Sequence, residues 1–294
     1  MPLIKRLYLR WSAIIGLQAC ALALGGCSAV RLAYDNAPDF AYWWLDGYVD
    51  FDSQQSLRLR SDLQALHEWH RKDELPALAE MLRNLQAAAP LNVSPEQVCA
   101  LATFLEGRVL EAAGRLLPAA GAIAPALKPT QLEHLTKAWD KRNREWREDW
   151  LDGSPQERAE YRLKKLVERA ESFYGRLSEA QRKSLGAALV ASGFDAATQY
   201  RETLRRQQDT HHTLRALRTT NLSETQVQTE LRALMLRSLQ SPEPALRQYQ
   251  LQARQQGCAV AAALHNNTNA EQRTKLAKEL SAYEADVRSL MAKR

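Results

Sequence analysis

The chain has 294 residues, enough to bury a sizeable core as one long domain or two closely packed ones. It carries 40 Lys and Arg against 34 Asp and Glu, and this surplus of six is spread along the chain without a basic block. Because nucleic-acid binding requires a clustered basic footprint, the composition excludes nucleic acid as a partner.

Residues 1–26 have the three parts of a secretory signal: a basic start, an apolar run and small residues before the cleavage point. The apolar run, residues 11–24, is shorter than the roughly 20 residues that a membrane-spanning helix needs. Removing this segment takes away three basic residues and no acidic one, so the net charge falls from +6 to +3. The predicted organisation is a signal peptide at 1–26 and a single α-helical periplasmic domain at 27–294.

The end of this signal, Leu24-Gly25-Gly26-Cys27, resembles the lipobox of bacterial lipoproteins. The resemblance implies cleavage between Gly26 and Cys27, a diacylglyceryl thioether on the sulfur of Cys27, and acylation of the new amino terminus. Acyl chains in this number exceed the two signals needed for stable anchoring in a lipid bilayer. Ser28 instead of Asp favours, by the same resemblance, the periplasmic face of the outer membrane. The alternatives are a plain secretory signal with a chance cysteine and an uncleaved anchor.

An aromatic cluster follows the lipobox. Seven of the 21 aromatic residues fall within residues 34–51: Tyr34, Phe40, Tyr42, Trp43, Trp44, Tyr48 and Phe51. Phe40, Trp44, Tyr48 and Phe51 are spaced by four, four and three, which predicts one buried helix face. Tyr42 and Trp43 lie off that face and are the predicted interaction surface, close enough to the lipid to touch the membrane interface, where Trp and Tyr are favoured.

Six capping boxes indicate helix starts along the chain. A box pairs Ser or Thr with Glu or Gln three residues later, and the chain offers Ser94/Gln97, Thr130/Glu133, Ser154/Glu157, Ser178/Gln181, Ser223/Gln226 and Thr268/Glu271. Apolar residues between these starts have helical spacing. The prediction is an all-α, multi-helix bundle of about nine or ten helices with a helical-hairpin architecture. The expected helices are 38–49, 53–72, 75–88, 94–118, 130–151, 155–176, 178–218 with a possible break at Gly193, 223–239, 242–266 and 268–292.

Three boxes share a phrase: Leu127-Lys-Pro-Thr-Gln131, Leu177-Ser-Glu-Ala-Gln181 and Leu222-Ser-Glu-Thr-Gln226. The phrase is similar to the short signature of periplasmic envelope-stress chaperones. A shared way of starting helices explains it equally well.

Two cysteines, Cys99 and Cys258, remain after the signal and the lipid-modified residue are set aside. In an oxidising periplasm an isolated pair favours a disulfide. The alternative is two separate buried thiols, which pack as small apolar residues.

No catalytic constellation stands out, so no enzyme, metal or cofactor is predicted. His67 and His70 lie on one helix face but supply only two of the three or four ligands that zinc requires. Five carboxylates surround the aromatic cluster: Asp35, Asp39, Asp46, Asp50 and Asp52. A pair of them is the basis of an alternative hydrolase hypothesis, against which helix capping and solvent exposure are the simpler interpretation. Trp139, Trp146 and Trp150 are expected on the buried side of their helix; exposed, they would mark a binding groove.

Four segments carry a resemblance to a known family: Cys27-Ser-Ala-Val-Arg31-Leu-Ala-Tyr34-Asp-Asn36, Tyr42-Trp-Trp-Leu-Asp46-Gly-Tyr48, Leu66-His67-x-Trp69-His70 and Cys258-x-x-x-x-Ala263-Leu-His-Asn266. In these segments the chain resembles an uncharacterised family of proteobacterial lipoproteins. The resemblance implies an α-helical, membrane-anchored envelope protein and brings no catalytic residues. The expected function is a non-enzymatic scaffold or protein-interaction role with an unknown envelope protein as partner; the alternatives are a periplasmic chaperone and an envelope hydrolase acting on peptidoglycan or sugars.

Overall fold

The computed structural model describes residues 27–292, with side chains from residue 29 onward. The predicted signal peptide, the cleavage point after Gly26 and the modified side chain of Cys27 therefore lie outside the described residues. No helix within 27–292 is long and apolar enough to cross a membrane.

The described residues are all-α and contain no strand. They form thirteen α-helices, more than the nine or ten predicted. The helices are α1 (Cys27–Asp35), α2 (Ala37–Val49), α3 (Ser53–Trp69), α4 (Leu75–Ala88), α5 (Pro95–Arg115), α6 (Leu117–Ile123), α7 (Pro129–Trp150), α8 (Pro155–Tyr174), α9 (Glu179–Ala191), α10 (Ala196–Thr219), α11 (Glu224–Leu239), α12 (Pro244–Asn266) and α13 (Ala270–Ala292). A π-helical turn (His70–Glu74) joins α3 to α4, and a 3₁₀ turn (Ala124–Ala126) follows α6.

Compared with the ten expected ranges, the structure adds α1, where no helix is predicted, and two breaks, of which only the one at Gly193 is expected from the sequence. The predicted helix 178–218 is two helices, α9 and α10, separated at Gly193, whose φ of +59° lies in the left-handed region that glycine adopts most easily. The predicted helix 94–118 also divides, since Pro118 sits at the start of α6. Proline has no backbone N–H and is tolerated in the first turn of a helix, so this break belongs at that position.

Four predicted capping boxes are confirmed, at Ser94, Ser154, Ser178 and Ser223. Two are wrong by one or two residues. α7 begins at Pro129, where the backbone N–H of Lys128 donates to Gln131 Oε1 at 2.8 Å, so Thr130 is not the cap. α13 is capped by Asn269, whose Oδ1 accepts from the N–H of Gln272 at 2.9 Å, so Thr268 is not the cap. In each case a residue other than Ser or Thr supplies the helix start.

Apolar side chains gather in three clusters. The first lies between α2, α3, α6 and α7 and contains Tyr42, Leu59, Leu63, Ile123, Leu127 and Leu132. The second joins α6, α10 and α11 through Leu117, Ala124, Leu217, Val227 and Leu231. The third holds α8 and α9 and contains Val167, Ala170, Leu177 and Leu185. Helical spacing thus buries one stripe of the helices that form these clusters, as expected for a helical bundle.

The predicted disulfide is present. Cys99 on α5 and Cys258 on α12 are bonded, with their Cα atoms 5.4 Å apart, across a sequence separation of 159 residues. The bond fastens α12 to α5, and α13 packs along α4 and α1. The C-terminal helices are therefore tied to the N-terminal part of the chain both covalently and by packing.

Two pairs of glutamines join helix starts in the interior. Gln55 and Gln131 exchange side-chain hydrogen bonds of 3.3 and 2.7 Å. Gln181 and Gln272 do the same at 2.7 and 3.0 Å. All four side chains are buried. We call these pairs the first glutamine junction, between α3 and α7, and the second glutamine junction, between α9 and α13.

Candidate aromatic binding groove

Helix α2 has two apolar faces, and the structure buries the one that the spacing did not favour. Tyr42 is 7% exposed and lies in the first core cluster, against which Leu45 and Val49 also pack. Phe40 and Trp44, predicted to be buried, are 50% and 61% exposed. Spacing identifies which residues share a face, but α3 and α7 decide which face they cover.

The two residues of the predicted interaction surface therefore separate. The hydroxyl of Tyr42 donates to Ser56 Oγ at 2.9 Å, and the guanidinium of Arg60 lies 3.5 Å from its ring centroid. Its ring is a core element and is not on the surface, so its assignment to an interaction surface is wrong. Trp43 is 59% exposed, and its ring centroid is 5.9 Å from that of Phe40. Trp43 thus remains a candidate interaction residue, with Phe40 as its neighbour.

A groove of about 600 Å³ opens beside Trp44, between α2, α7 and α10. We call it the aromatic groove. Four aromatic side chains line it, two from α2 and two from α7: Trp44, Tyr48, Trp139 and Trp146. Its volume lies within the range of about 300–1,000 Å³ typical of ligand sites. The three tryptophans of α7, expected to be buried, are half-buried, and two of them, Trp139 and Trp146, line this groove.

The walls of the aromatic groove are held by polar and stacking contacts. Asn143 of α7 and Gln207 of α10 exchange hydrogen bonds of 2.8 and 3.0 Å between their side-chain amides. Trp146 stacks on Tyr200 with centroids 5.5 Å apart and an interplanar angle of 9°. Since both contacts bridge α7 and α10, they fix the distance between the two walls. Because the side-chain amides of Asn143 and Gln207 bond to each other, the aromatic rings are the surface that remains open to a partner.

Aromatic side chains continue past the end of the groove. Trp150 lies 6.2 Å from Trp146 between centroids, and the ring of Tyr161 meets Trp150 edge-on at 5.2 Å. A hydrogen bond to Asp149 raises the pKa of the Tyr161 hydroxyl, because the neutral phenol is the form that donates. The hydroxyl therefore stays protonated and holds Asp149 at the rim.

Charges at the rim of the aromatic groove have mixed sign. Arg142 and Glu145 form a long ion pair of 3.9 Å on the surface of α7. Exposed pairs of this kind contribute little to stability. Both side chains line the groove, so a partner with either charge can displace the pair at little cost.

Four of the five carboxylates near the aromatic cluster have separate structural partners. Asp39 and Asp35 pair with arginines, Arg60 at 2.8 Å and Arg71 at 3.4 Å. Asp46 accepts from the N–H of Phe51 at 2.9 Å. Asp52 caps α3 and pairs with Lys128 at 3.1 Å.

The fifth, Asp50, ends α2 with a left-handed φ of +57°, a conformation that Asp tolerates better than most residues. Ion pairing and helix capping thus occupy four of the five carboxylates that the hydrolase hypothesis invokes.

His67 and His70 lie together beneath α1. Tyr34 shares a hydrogen bond of 2.9 Å with Nδ1 of His70, and its ring centroid is 4.6 Å from that of His67. Burial raises the pKa of Tyr34 to about 12 and lowers the pKa of both histidines. No group of three or more His, Cys, Asp and Glu within residues 27–292 is placed to hold a metal ion. The two imidazoles are therefore packing and hydrogen-bonding partners of Tyr34.

Sequence reasoning missed three contributors to the aromatic groove: Asn143, Gln207 and Tyr200. Asn143 and Gln207 lie on two helices that pair only in three dimensions, and single polar residues on charged helices carry no distinguishing signal. The available signal was the spacing of Trp139 and Trp146 by seven residues, which places both on one helix face.

The fold and this site define an all-α protein with an exposed aromatic groove. The chain belongs to a family of unknown function (DUF6279), whose family model matches residues 47–244. The match includes Leu66–His70 and ends before Cys258–Asn266. No curated protein and no solved structure matches the chain.

Proposed function

We propose that this protein is a non-enzymatic lipoprotein of the cell envelope, anchored through acylated Cys27 to the periplasmic face of the outer membrane. In this proposal it acts as a scaffold that binds an apolar segment of another envelope protein in the aromatic groove. The observation that carries the proposal is the groove itself, with Trp44 61% exposed at its edge.

The composition of the groove supports a protein segment as its occupant. Trp, Tyr and Arg dominate the energy of protein–protein interfaces, and the groove contains all three. The α10 wall of the groove contributes Thr203 and Thr210, whose hydroxyl oxygens can accept hydrogen bonds from a peptide backbone. Mixed charge at the rim is also usual at the polar edge of an interface.

The exposed pair of Phe40 and Trp43 supports the anchoring part of the proposal. The nine-residue helix α1 spans about 14 Å, so an acyl group on Cys27 lies within a short distance of α2. An ion pair of 3.2 Å between Arg31 and Asp286 fixes α1 on α13. A membrane at Cys27 is thus near Trp43, whose ring suits the interface.

Site-specific photo-crosslinking in living cells tests the binding part. A photoreactive residue replaces Glu145 at the rim of the groove, and the same residue at Leu57, exposed on α3, serves as the background position. We expect a discrete crosslinked protein at position 145 that is lost with Trp44→Ala and kept with Trp43→Ala. The two tryptophans are adjacent and similarly exposed, but Trp44 lines the groove and Trp43 does not. Equal crosslinking in both variants would contradict the proposal.

Cell fractionation tests the anchoring part separately. Cys27→Ser removes the acceptor of the acyl chain, so the protein should move from the membrane fraction to the soluble fraction. A variant that still sediments with the membranes would show that the anchor is elsewhere.

A chaperone role is the alternative that the repeated Leu-Ser-x-x-Gln phrase suggests. Within the structure the phrase has an internal role, since Leu177 is buried, Ser178 caps α9 and Gln181 belongs to the second glutamine junction. Support for a chaperone must therefore come from the groove. If the protein is a chaperone, it should slow the aggregation of denatured client proteins, and Trp44→Ala should reduce that effect. If the protein slows the aggregation of none of several clients, the chaperone role is excluded.

A further inference from the structure

A second groove, which shares no lining residue with the aromatic groove, runs between α8, α9 and α12. Its volume is about 420 Å³. Most of its lining is apolar and comes from all three helices: Leu166, Ala170, Phe173, Leu189, Val260 and Leu264. We call it the α8–α12 groove.

The α8–α12 groove is long and narrow. Its lining residues on α8 extend from Arg162 to Tyr174, which corresponds to about 18 Å along the helix axis. The volume divided by this length gives a cross-section of about 23 Å². The opposite wall is low because α12 contributes Ala253, Gly257 and Ala261 at intervals of four residues. A groove of this shape admits one unbranched alkyl chain along its length.

Arg162 lies at one end of this groove, where its guanidinium contacts neutral groups. Its guanidinium carbon is 4.2 Å from the ring centroid of Phe194, and Nη2 is 3.5 Å from Ser192 Oγ. Burial leaves the charge of the guanidinium only partly solvated and therefore lowers its pKa. In the part of the chain that the structure describes, no carboxylate forms an ion pair with it. The similarly sheltered Arg205, by contrast, pairs with Glu202 at 2.8 Å.

The carboxylates of α8 are all engaged elsewhere. Glu157 belongs to the capping box of α8, and Glu160 accepts from Gln156 at 2.9 Å. Glu168 pairs with Lys165 at 3.6 Å, and Glu171 pairs with Arg182 at 2.6 Å. The positive charge of Arg162 at the end of an apolar groove is therefore left for a ligand.

We propose that the α8–α12 groove binds a long-chain fatty acid, with its carboxylate on Arg162 and its alkyl chain laid along α8 toward Tyr174. Arg169 also lines the groove, about 10 Å further along α8 and beside the alkyl chain, so the head group is assigned to Arg162. The far end is closed by Tyr174, whose hydroxyl shares a hydrogen bond of 2.9 Å with Nδ1 of His265. The apolar lining contributes affinity along the chain, and the guanidinium selects the anionic head. This site does not depend on the partner proposed for the aromatic groove.

The test uses the full-length protein in its own membranes and a palmitate that carries a photoreactive diazirine and an alkyne tag. After illumination, mass spectrometry of digested protein locates the labelled peptides. We expect label on α8 and α12, competed by excess palmitate and not by excess hexadecanol, which has the same chain and no charge. Arg162→Gln should lower the labelling about 10-fold, as loss of a charge-assisted hydrogen bond predicts.

Lys164→Gln is the matched control, since it removes an exposed charge two residues away that does not line the groove. Ala261→Trp, an exposed position in the groove wall, should also lower the labelling by filling the groove. It decides the matter if Arg162→Gln fails to fold. Labelling that is equal in Arg162→Gln and Lys164→Gln, that survives Ala261→Trp, or that hexadecanol competes as well as palmitate, would overturn the proposal.

Discussion

The two glutamine junctions are built in the same way from different helices of the bundle. In each, the glutamine oxygen accepts from the backbone N–H of its own helix cap, at 2.8 Å for Gln131 and 2.9 Å for Gln181. The glutamine nitrogen donates to a carbonyl two residues before the partner's cap, Asp50 for Gln131 and Asn267 for Gln181, both at 2.8 Å. Every polar atom of the buried side chains is thus satisfied, as a buried amide requires.

Their surroundings differ. The first glutamine junction adjoins a core of large aliphatic and aromatic side chains, including Tyr42, Leu59 and Leu63, and no disulfide joins its helices. The second adjoins a smaller core around Ala170 and Leu177, beside α12, which carries the disulfide. Both glutamines of the first junction fall within the family match at 47–244, whereas Gln272 lies beyond it.

Two features of the sequence act separately at these junctions: the capping residues with their glutamines, and the side chains that surround them. A cap followed three residues later by a buried glutamine specifies how two helix starts meet, whereas the exposed capping-box glutamines Gln97 and Gln226 contact their own caps. The neighbouring side chains then decide how the junction is stabilised and which surface it supports. Near the first junction that surface is the aromatic groove, and near the second it is the α8–α12 groove.

The largest expected effect comes from removing the disulfide, which should affect the region of the second glutamine junction more than the region of the first. Replacing both Cys99 and Cys258 by Ala should lower the free energy of unfolding by roughly 2–5 kcal/mol, because the bond closes a loop of 159 residues in the unfolded chain. Hydrogen exchange should become faster in α5 and α12 while α3 and α7 keep their protection. Equal loss of protection in all four helices would mean that the two regions unfold as one unit.

Much of this fold could be predicted from the sequence, because capping and helical spacing are local properties. Ser154 with Glu157 and Ser178 with Gln181 mark their helices correctly. The reciprocal contacts of Gln55 with Gln131 could not be predicted, since they join residues 76 positions apart. For the same reason the spacing around Trp44 could not tell which apolar face of α2 other helices cover.

The next largest effect, loss of a buried glutamine, should be equal at the two glutamine junctions. Gln131→Ala and Gln272→Ala each remove both hydrogen bonds to the partner glutamine and leave a backbone carbonyl, that of Asp50 or Arg176, without its side-chain donor. Each substitution should cost about 3 kcal/mol in the free energy of unfolding by urea titration. Gln226→Ala is the control, since this capping-box glutamine is exposed and should cost about 1 kcal/mol or less. A cost at the second junction similar to that of the control would show that the disulfide maintains that junction without its glutamines.

Acid should lower the free energy of unfolding through the two histidines beside Tyr34, His67 and His70. Burial lowers the pKa of His67 and His70 in the folded protein, so their contribution is complete above the unfolded value of about 6.5 and is lost as pH falls below it. The urea midpoint should therefore drop between pH 7.5 and pH 5.5. The charged and titratable neighbours of the two rings are Tyr34, Asp35, Glu68, Arg71 and Glu74.

The double variant His67→Phe, His70→Phe separates the histidines from these neighbours, because it keeps an aromatic ring at both positions and removes the titrating groups. Its urea midpoint should change less than that of the wild type between pH 7.5 and pH 5.5. An identical pH dependence in both proteins would assign the effect to the carboxylates instead.

The smallest effect concerns the two adjacent aromatics of α2, whose surroundings differ most. Tyr42→Phe removes a hydroxyl bonded to Ser56 at 2.9 Å inside the first core cluster and should cost about 1 kcal/mol. Trp43→Ala truncates a side chain that is 59% exposed and should change stability by about 0.5 kcal/mol or less. Urea denaturation of both variants measures the difference. If Trp43→Ala is the costlier substitution, Trp43 is part of the packed core of α2, and its exposed ring is no longer available as the membrane-facing residue near Cys27.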